Sequence, residues 1–141
     1  MNEIQIRIAD WQKDNADLRR IREKVFIAEQ AVPPELEWDA DDASAIHFLA
    51  LDGDYAIGTA RLLPDGHIGR VSVLKDWRGL KVGDALMQAV ITEAERLDLK
   101  QQKLSAQVQA TAFYERLGFE IVSGEFLDAG IPHVDMVRHS S

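Results

Sequence analysis

Three short apolar runs, joined by two tight turns, constrain the fold of this chain more than any other feature. Residues 46–51 have the sequence IHFLAL, residues 56–63 AIGTARLL and residues 67–74 HIGRVSVL. Asp52-Gly53-Asp54 separates the first pair and Pro64-Asp65-Gly66 the second, and Asp-Gly steps are typical of the turns that close β-hairpins. The sequence therefore predicts three consecutive antiparallel strands in the middle of the chain.

Helix and strand patterns flank this meander on both sides. Ile4, Ile6 and Ile8 alternate with polar residues, which predicts a first strand. Further patterns predict a helix after Asp14 or Asn15 with Leu18, Ile21, Val25 and Ala28 on one face, a helix over 83–97, a strand over 103–106, a helix over 110–117 ended by Gly118, and strands over 119–122 and 131–138. The expected order is β-α-β-β-β-α-β-α-β-β, an α/β (α+β) fold with a mixed, mostly antiparallel central sheet flanked by helices.

Composition limits the functions that such a fold can have. The length of 141 residues predicts a single domain over 1–141. Sixteen Lys and Arg against 24 Asp and Glu give a net charge of −8, which opposes nucleic-acid binding by counterion release. The lack of cysteine excludes thiolate metal sites and cysteine nucleophiles. No leader or 18-residue apolar stretch occurs, so we expect a cytoplasmic protein without a membrane partner.

Candidate metal ligands are poorly placed in the sequence. His47, His67, His133 and His139 share no metal-ligand spacing, and neither an HExxH motif nor an EF-hand motif occurs. We expect no metal site.

Charged residues near the first helix suggest two kinds of acceptor. The segment 30–44 contains Pro33-Pro34 and five acidic residues and is predicted to be a loop. Glu29 and Glu37 could line a cleft that attracts an amine. Arg22 and Arg61 would instead suit an acceptor that bears a carboxylate. The sequence leaves both alternatives open.

The segment 71–83, VSVLKDWRGLKVG, contains the most informative motif in the chain. It predicts a strand that runs through a turn into the start of the long helix, where free backbone N–H groups and the helix dipole suit phosphate. The segment contains neither GK[ST] nor GxGxxG, which excludes the two common nucleotide loops.

This segment resembles the RxxGxG/A pyrophosphate-binding motif of the GNAT superfamily of acyl-CoA N-acyltransferases. Arg78 and Gly83 match its ends, and Lys81 replaces its middle glycine. Residues 112–119, AFYERLGF, are similar to the FYxKLGF signature of the same superfamily. Residues 25–33 and 128–134 further resemble the ElaA-type subgroup, so the resemblance implies a GNAT-like fold over most of the chain.

The resemblance implies direct attack of an amine on the thioester of acetyl-CoA, a co-substrate, in a ternary complex. Tyr114 lies at the position of the general acid in the superfamily. A bulge or splayed strand end would offer backbone N–H groups to the cofactor. The implied cofactor-binding residues are Val71, Ser72, Val73, Arg78, Gly79, Leu80, Lys81, Val82, Gly83, Gln107 and Tyr114.

His133 is the preferred candidate for the base that deprotonates the acceptor. Histidine suits this role near neutral pH, and Asp135 on the same strand face could orient it. The Pro132-His133 step also resembles the base position of another enzyme in the superfamily. The alternatives are a polar side chain on an exposed strand face and a base role for Glu37 or Glu29 through water.

Two functions follow from these residues. The first is an N-acetyltransferase that acts on a primary amine of a small molecule or peptide. The alternative is a non-catalytic, acetyl-CoA-binding regulatory protein. Either one could be a monomer or a homodimer.

Overall fold

The computed structural model describes residues 3–140, which form eight strands and four α-helices. No helix among these residues is both long and apolar enough to cross a lipid bilayer. In chain order the elements are β1 (Ile4–Ala9), α1 (Asn15–Arg22), α2 (Pro34–Glu37), β2 (Ile46–Asp52), β3 (Tyr55–Leu62), β4 (Ile68–Val73), α3 (Val82–Arg96), β5 (Gln101–Gln107), α4 (Thr111–Arg116), β6 (Glu120–Ile121), β7 (Phe126–Asp128) and β8 (Ile131–His139).

The predicted meander is confirmed. The first sheet has the strand order β1-β2-β3-β4, with every neighbouring pair antiparallel. All residues of β3 from Ala56 to Leu62 are buried, and both α1 and α3 contact this strand. Because successive side chains point to opposite faces of a strand, both faces of β3 must be covered.

Among residues 3–140, a single β-bridge joins the second sheet to the first. In the second sheet β5 and β6 pair with β8 on either side, and β7 also pairs with β8. A parallel bridge joins His67 to Lys103, beside a hydrogen bond from Lys103 N to Gly66 O of 3.1 Å. Gly66 has φ +94°, and a Cβ there would collide with the Gln101 carbonyl. The expected central sheet is therefore two antiparallel sheets, with a gap between β4 and β5.

The segment before β2 differs from its prediction. α1 ends at Arg22 and continues as a π-helical segment over Glu23–Glu29. Leu18, Ile21 and Val25 are buried as expected, but the wider turn leaves Ala28 exposed. A spacing of three to four residues fits both helix types, so the pattern could not separate them.

The predicted acidic loop contains two short helical elements and a buried ion cluster. These elements are α2 and a 3₁₀ turn over Ala40–Ala43. Arg22 is 0% exposed, and its Nε donates to Glu37 Oε2 and its Nη1 to Asp42 Oδ1, each at 2.8 Å. A buried charge is tolerated only when it is paired. The segment is therefore packed on α1 by ion pairs instead of being solvated.

His47 lies under this cluster as a neutral side chain. It is 1% exposed, and it stacks on Trp11 with ring centroids 4.5 Å apart. Its Nε2 lies 2.8 Å from the Asp42 carbonyl oxygen, which can only accept, so Nε2 carries the proton. Nδ1 is buried and has no partner among the described residues. Burial lowers the pKa of His47.

The turn before α3 contains a strained residue. Lys81, the N-cap of α3, has φ 63° and ψ 23°, in the left-handed region that suits glycine. Its side chain is exposed, so nothing buried compensates for this backbone strain.

Protonation of His47 should weaken the fold in mild acid. Its pKa is lower in the folded than in the unfolded protein, so the unfolded chain binds the proton first. The free energy of unfolding should then be highest above about pH 6.5 and fall below it, by up to about 1.4 kcal/mol per pH unit for this one group. Urea unfolding of the wild type and His47→Gln at several pH values checks this. A difference between the two that is the same at every pH would contradict it.

Replacement of Lys81 should separate backbone strain from side-chain effects. Lys81→Gly should keep or raise the free energy of unfolding, whereas β-branched Lys81→Val should lower it by about 1 kcal/mol. Chemical denaturation measures both changes. Lys100 is the control position, because it is exposed and has no positive φ. There Lys100→Val should be more stable than Lys100→Gly.

Candidate active site

A cavity of about 390 Å³ lies where β4 and β5 diverge. Beyond the His67–Lys103 bridge, the facing edges of these strands have peptide groups without a strand partner in the described chain. The π-helical segment, α2, α4 and the β7–β8 hairpin complete the walls. Of the residues singled out in the sequence, the cavity is lined by Glu37, Arg61, Val71, Gln107, Tyr114 and His133.

A β-bulge in β4 forms one wall of the cavity. Thr59 pairs with Ser72 and Arg61 with Gly69, so Arg70 and Val71 together lie opposite Ala60. Arg70 has φ 52°. The family resemblance implied a bulge or splayed strand end over Val71–Val73, and the structure has a bulge that begins one residue earlier, at Arg70.

Tyr114 enters the cavity from α4. Its ring packs edge-on against Phe113 and Phe119, with centroids 5.0 and 6.0 Å away. Burial raises the pKa of Tyr114 to about 12. The side chain is therefore an uncharged phenol at neutral pH.

His133 enters the cavity from β8 and is 9% exposed. Its Nδ1 lies 2.7 Å from the Ile131 carbonyl oxygen, an acceptor, so in the neutral ring Nδ1 carries the proton and Nε2 the free lone pair. Phe126 stacks on the ring at 6.1 Å. Asp135 was expected to orient this histidine, but it accepts a hydrogen bond from Ser105 Oγ at 2.8 Å. The Ile131 carbonyl has the orienting role instead.

The turn between β4 and α3 folds back on the end of β4. Arg78 Nε donates to the Val73 carbonyl at 2.9 Å, and Arg78 Nη2 pairs with Glu29 Oε1 at 2.8 Å. Gly79 has φ +80°. Glu29, expected as an acceptor ligand, is thus engaged at this turn.

Other residues of the segment 71–83 differ in how far they are buried. Val82 and Ser72 are buried, while Leu80 is exposed. A Cβ on Gly83 would lie 3.4 Å from the Phe113 ring, so a bulky side chain there would press on α4.

The predicted substrate ligands Glu37 and Arg22 belong to the ion cluster. Arg22 is enclosed and paired, so it cannot contact an acceptor as the sequence suggested. Glu37 Oε2 accepts from Arg22 Nε at 2.8 Å and contacts Arg70 Nε at 3.1 Å. Burial raises the pKa of Glu37, although both arginines favour its charged form.

Arg61 and Arg70 neutralise the remaining acids. Arg61 Nη1 contacts Asp39 Oδ1 at 2.8 Å and Asp42 Oδ1 at 2.9 Å. Burial opposes ionisation of Asp42, yet hydrogen bonds from Arg22 and Arg61 lower its pKa. Arg70 was not predicted as a site residue. The sequence indicates it only as an arginine on the last strand of the meander.

Comparison with known proteins identifies the family of this chain. Residues 9–140 match the family described as Acetyltransferase (GNAT) domain. The chain is 37% identical over 135 residues to the uncharacterized N-acetyltransferase YjcF of Bacillus subtilis, which covers 93% of this chain and 96% of that protein.

Solved structures agree with this match. An acyl-CoA N-acyltransferase from Pseudomonas aeruginosa has a TM-score of 0.85 and 31% identity over 96% of this chain and 99% of that one. Escherichia coli ElaA has a TM-score of 0.84 and 29% identity over 97% and 99%. The resemblance inferred from the sequence motifs is confirmed: this chain belongs to the GNAT acetyltransferase family and is an acyltransferase enzyme.

Proposed function

We propose that this enzyme transfers the acetyl group of acetyl-CoA to a primary amine of a small molecule, with His133 as the base and Tyr114 as the acid. The observation that carries this proposal is that both side chains line one cavity at the opening between β4 and β5. Membership of an acyltransferase family favours this function over that of a non-catalytic sensor.

The gap and the turn before α3 fit an extended, phosphate-bearing co-substrate. The backbone of Val71–Val73 would bind its amide groups, and the turn from Arg78 to Gly83 its pyrophosphate. Gln107 lies on the facing edge of β5, and its Nε2 donates to Gln30 Oε1 at 2.7 Å. Glu29 would compete with the pyrophosphate for Arg78. When bound, acetyl-CoA supplies an activated acyl carbon on a thiol leaving group.

Proton removal from the acceptor falls to His133. An amine arrives as an ammonium ion and becomes a nucleophile only after losing a proton. Because the Ile131 carbonyl holds the proton on Nδ1, Nε2 offers a lone pair from a fixed ring. The amine nitrogen then forms a bond to the acyl carbon, the carbon–sulfur bond breaks with its electron pair leaving on sulfur, and the nitrogen gives up its second proton to solvent.

Protonation of the leaving sulfur falls to Tyr114. A thiol has an ordinary pKa near 8.5, so full transfer from a phenol of pKa about 12 would be uphill by roughly 5 kcal/mol. The thiolate would form in the same water-poor cavity, where burial also raises the pKa of a thiol. The proton is therefore transferred as the carbon–sulfur bond breaks, not to a free thiolate in water.

The direct test is a set of primary amines incubated with acetyl-CoA and the purified protein, with free thiol release as the readout. Thiol release that requires both an amine and the protein, with the acetylated amine identified by mass, supports the proposal. Absence of amine-dependent release would refute it.

Tyr114→Phe should lower kcat roughly 100-fold or more, because it removes the hydroxyl and keeps the ring that packs on Phe113 and Phe119. The dissociation constant of acetyl-CoA, measured by calorimetry, should change little. Phe113→Leu is the matched control, and it should lower stability more than kcat. An unchanged kcat in Tyr114→Phe would make Tyr114 a packing residue.

The acid limb of kcat/KM should depend on His133. In the wild type kcat/KM should fall in acid, because a general base acts only in its unprotonated form. His133→Ala should lose this limb and most of the activity while still binding acetyl-CoA. Persistence of the limb in the variant would assign the base role to Glu37 or to the substrate amine.

A further inference from the structure

Two arginines in the cavity wall have guanidinium nitrogens that the protein does not use. Arg61 Nη1 donates to Asp39 and Asp42, whereas Nη2 has no hydrogen-bond partner among residues 3–140. Arg70 Nε contacts Glu37 Oε2 at 3.1 Å and its Nη2 donates to the Glu37 carbonyl at 3.0 Å. Arg70 Nη1 is likewise without a partner in the described chain. Both side chains line the cavity, and Arg61 is only 6% exposed.

The two guanidinium groups lie side by side, because one carboxylate already bridges them. Asp39 Oδ1 contacts Arg61 Nη1 at 2.8 Å, and Asp39 Oδ2 contacts Arg70 Nη2 at 3.1 Å. The Asp39 side chain is 36% exposed, at the rim of the cluster. The arginine pair already binds the Asp39 carboxylate at the rim of the cluster. The same arrangement of donors suits a second carboxylate that approaches from the cavity.

The charges of the wall balance one another. Its cations are Arg22, Arg61 and Arg70, and its fully buried anions are Glu37 and Asp42. Three positive charges thus face two buried negative charges, and only the partly exposed Asp39 balances the third. Arg61, Arg70, Glu37 and Asp128 line the cavity, so an anion is attracted where a guanidinium nitrogen is free and not by an excess of positive charge.

The backbone at Arg70 is built to present this side chain. Arg70 occupies the left-handed region at the β4 bulge, with φ 52°. Strain of this kind persists only where the surroundings enforce it, and it is concentrated at functional sites. Here the enforcing contacts are the hydrogen bonds from Arg70 to the Leu36 and Glu37 carbonyls and to the Asp39 carboxylate.

We propose that the acceptor bears a carboxylate in addition to its primary amine, and that Arg61 Nη2 and Arg70 Nη1 bind this carboxylate. The inference rests on the acetyl transfer proposed above and specifies its substrate class. His133 lines the same cavity from the second sheet, so one small molecule can place its amine at His133 and its carboxylate at the arginines. The volume of about 390 Å³ also has to admit the acyl group, which favours a free amino acid over a peptide.

The test compares each standard L-amino acid, β-alanine and 4-aminobutyrate with the corresponding carboxamide. Calorimetry measures binding to the protein saturated with CoA, and thiol release from acetyl-CoA measures turnover. At least one acid should bind ten or more times as tightly as its amide, a difference of about 1.4 kcal/mol. Equal affinities, or no binding of any acid at millimolar concentration, would overturn the proposal.

Two variants link this preference to the arginine pair. Arg70→Gln leaves Glu37 paired with Arg22 and should reduce the preference for the acid to less than threefold without changing the affinity for CoA. Asp39→Asn removes the competing carboxylate and should tighten binding of the acid several-fold but not of the amide, an effect that a merely structural role would not produce. Arg96→Gln, an exposed arginine at the end of α3, is the matched control and should keep the preference.

Calorimetric binding and thiol release together distinguish the proposed arginine site from the acetyl transfer on which it rests. Thiol release with amines that shows no acid preference would leave acetyl transfer standing and remove the acceptor class. Acid-selective binding that Arg70→Gln abolishes, without any thiol release, would support the arginine site and refute acetyl transfer as its use.

Discussion

The candidate active site depends on a single β-bridge between the two sheets, the only one among residues 3–140. Close approach at Gly66, where a Cβ would collide with the Gln101 carbonyl, allows the bridge between His67 and Lys103. Beyond it β4 stays with β3 while β5 pairs with β8, so the strands separate and leave polar peptide edges exposed. Buried peptide groups need partners. A gap lined with them is therefore ready to bind a ligand that carries its own amide groups, and the Tyr114 and His133 side chains lie at its wall.

The ion cluster around Arg22 fixes the position of the acidic segment more than it stabilises the fold. Desolvation of buried charges offsets much of their mutual attraction, so a cluster of this kind is weak evidence for a large gain in folding free energy. What it does is fix the acidic segment against α1, β3 and β4. Arg61 and Arg70 are held by carboxylates and carbonyls on one side, which leaves their remaining nitrogens with little rotational freedom. A preorganised donor pair loses less entropy on binding than two free side chains.

Local patterns in the sequence predicted the elements, and the family motifs predicted the family to which the chain belongs. The alternation in β1, the Asp-Gly turns and the apolar face of α3 are short-range signals that burial of one face dictates. The pairing of Arg22 with residues 15 and 20 positions later, and of Arg70 with residues more than 30 positions earlier, leaves no such periodic signal. For this reason the sequence did not show that Glu37, expected to attract an amine, is paired with Arg22 and Arg70. The β7 strand was missed because it has three residues and depends on pairing with β8.

The net charge of −8 shows why the acceptor must be selected at short range. At a distance such a protein attracts cations and repels anions, whereas the proposed co-substrate is itself a polyanion that Arg78 and the start of α3 would have to hold against this field. A simple amine would be drawn to the whole acidic surface and gain little discrimination from it. A zwitterionic amino acid has no net charge and is almost indifferent to the distant field, so its binding depends on where its two charges meet the cavity. In the proposed site the arginine pair on one wall and the free Nε2 of His133 on another would supply those two contacts, and the separation between them would determine which amino acid fits.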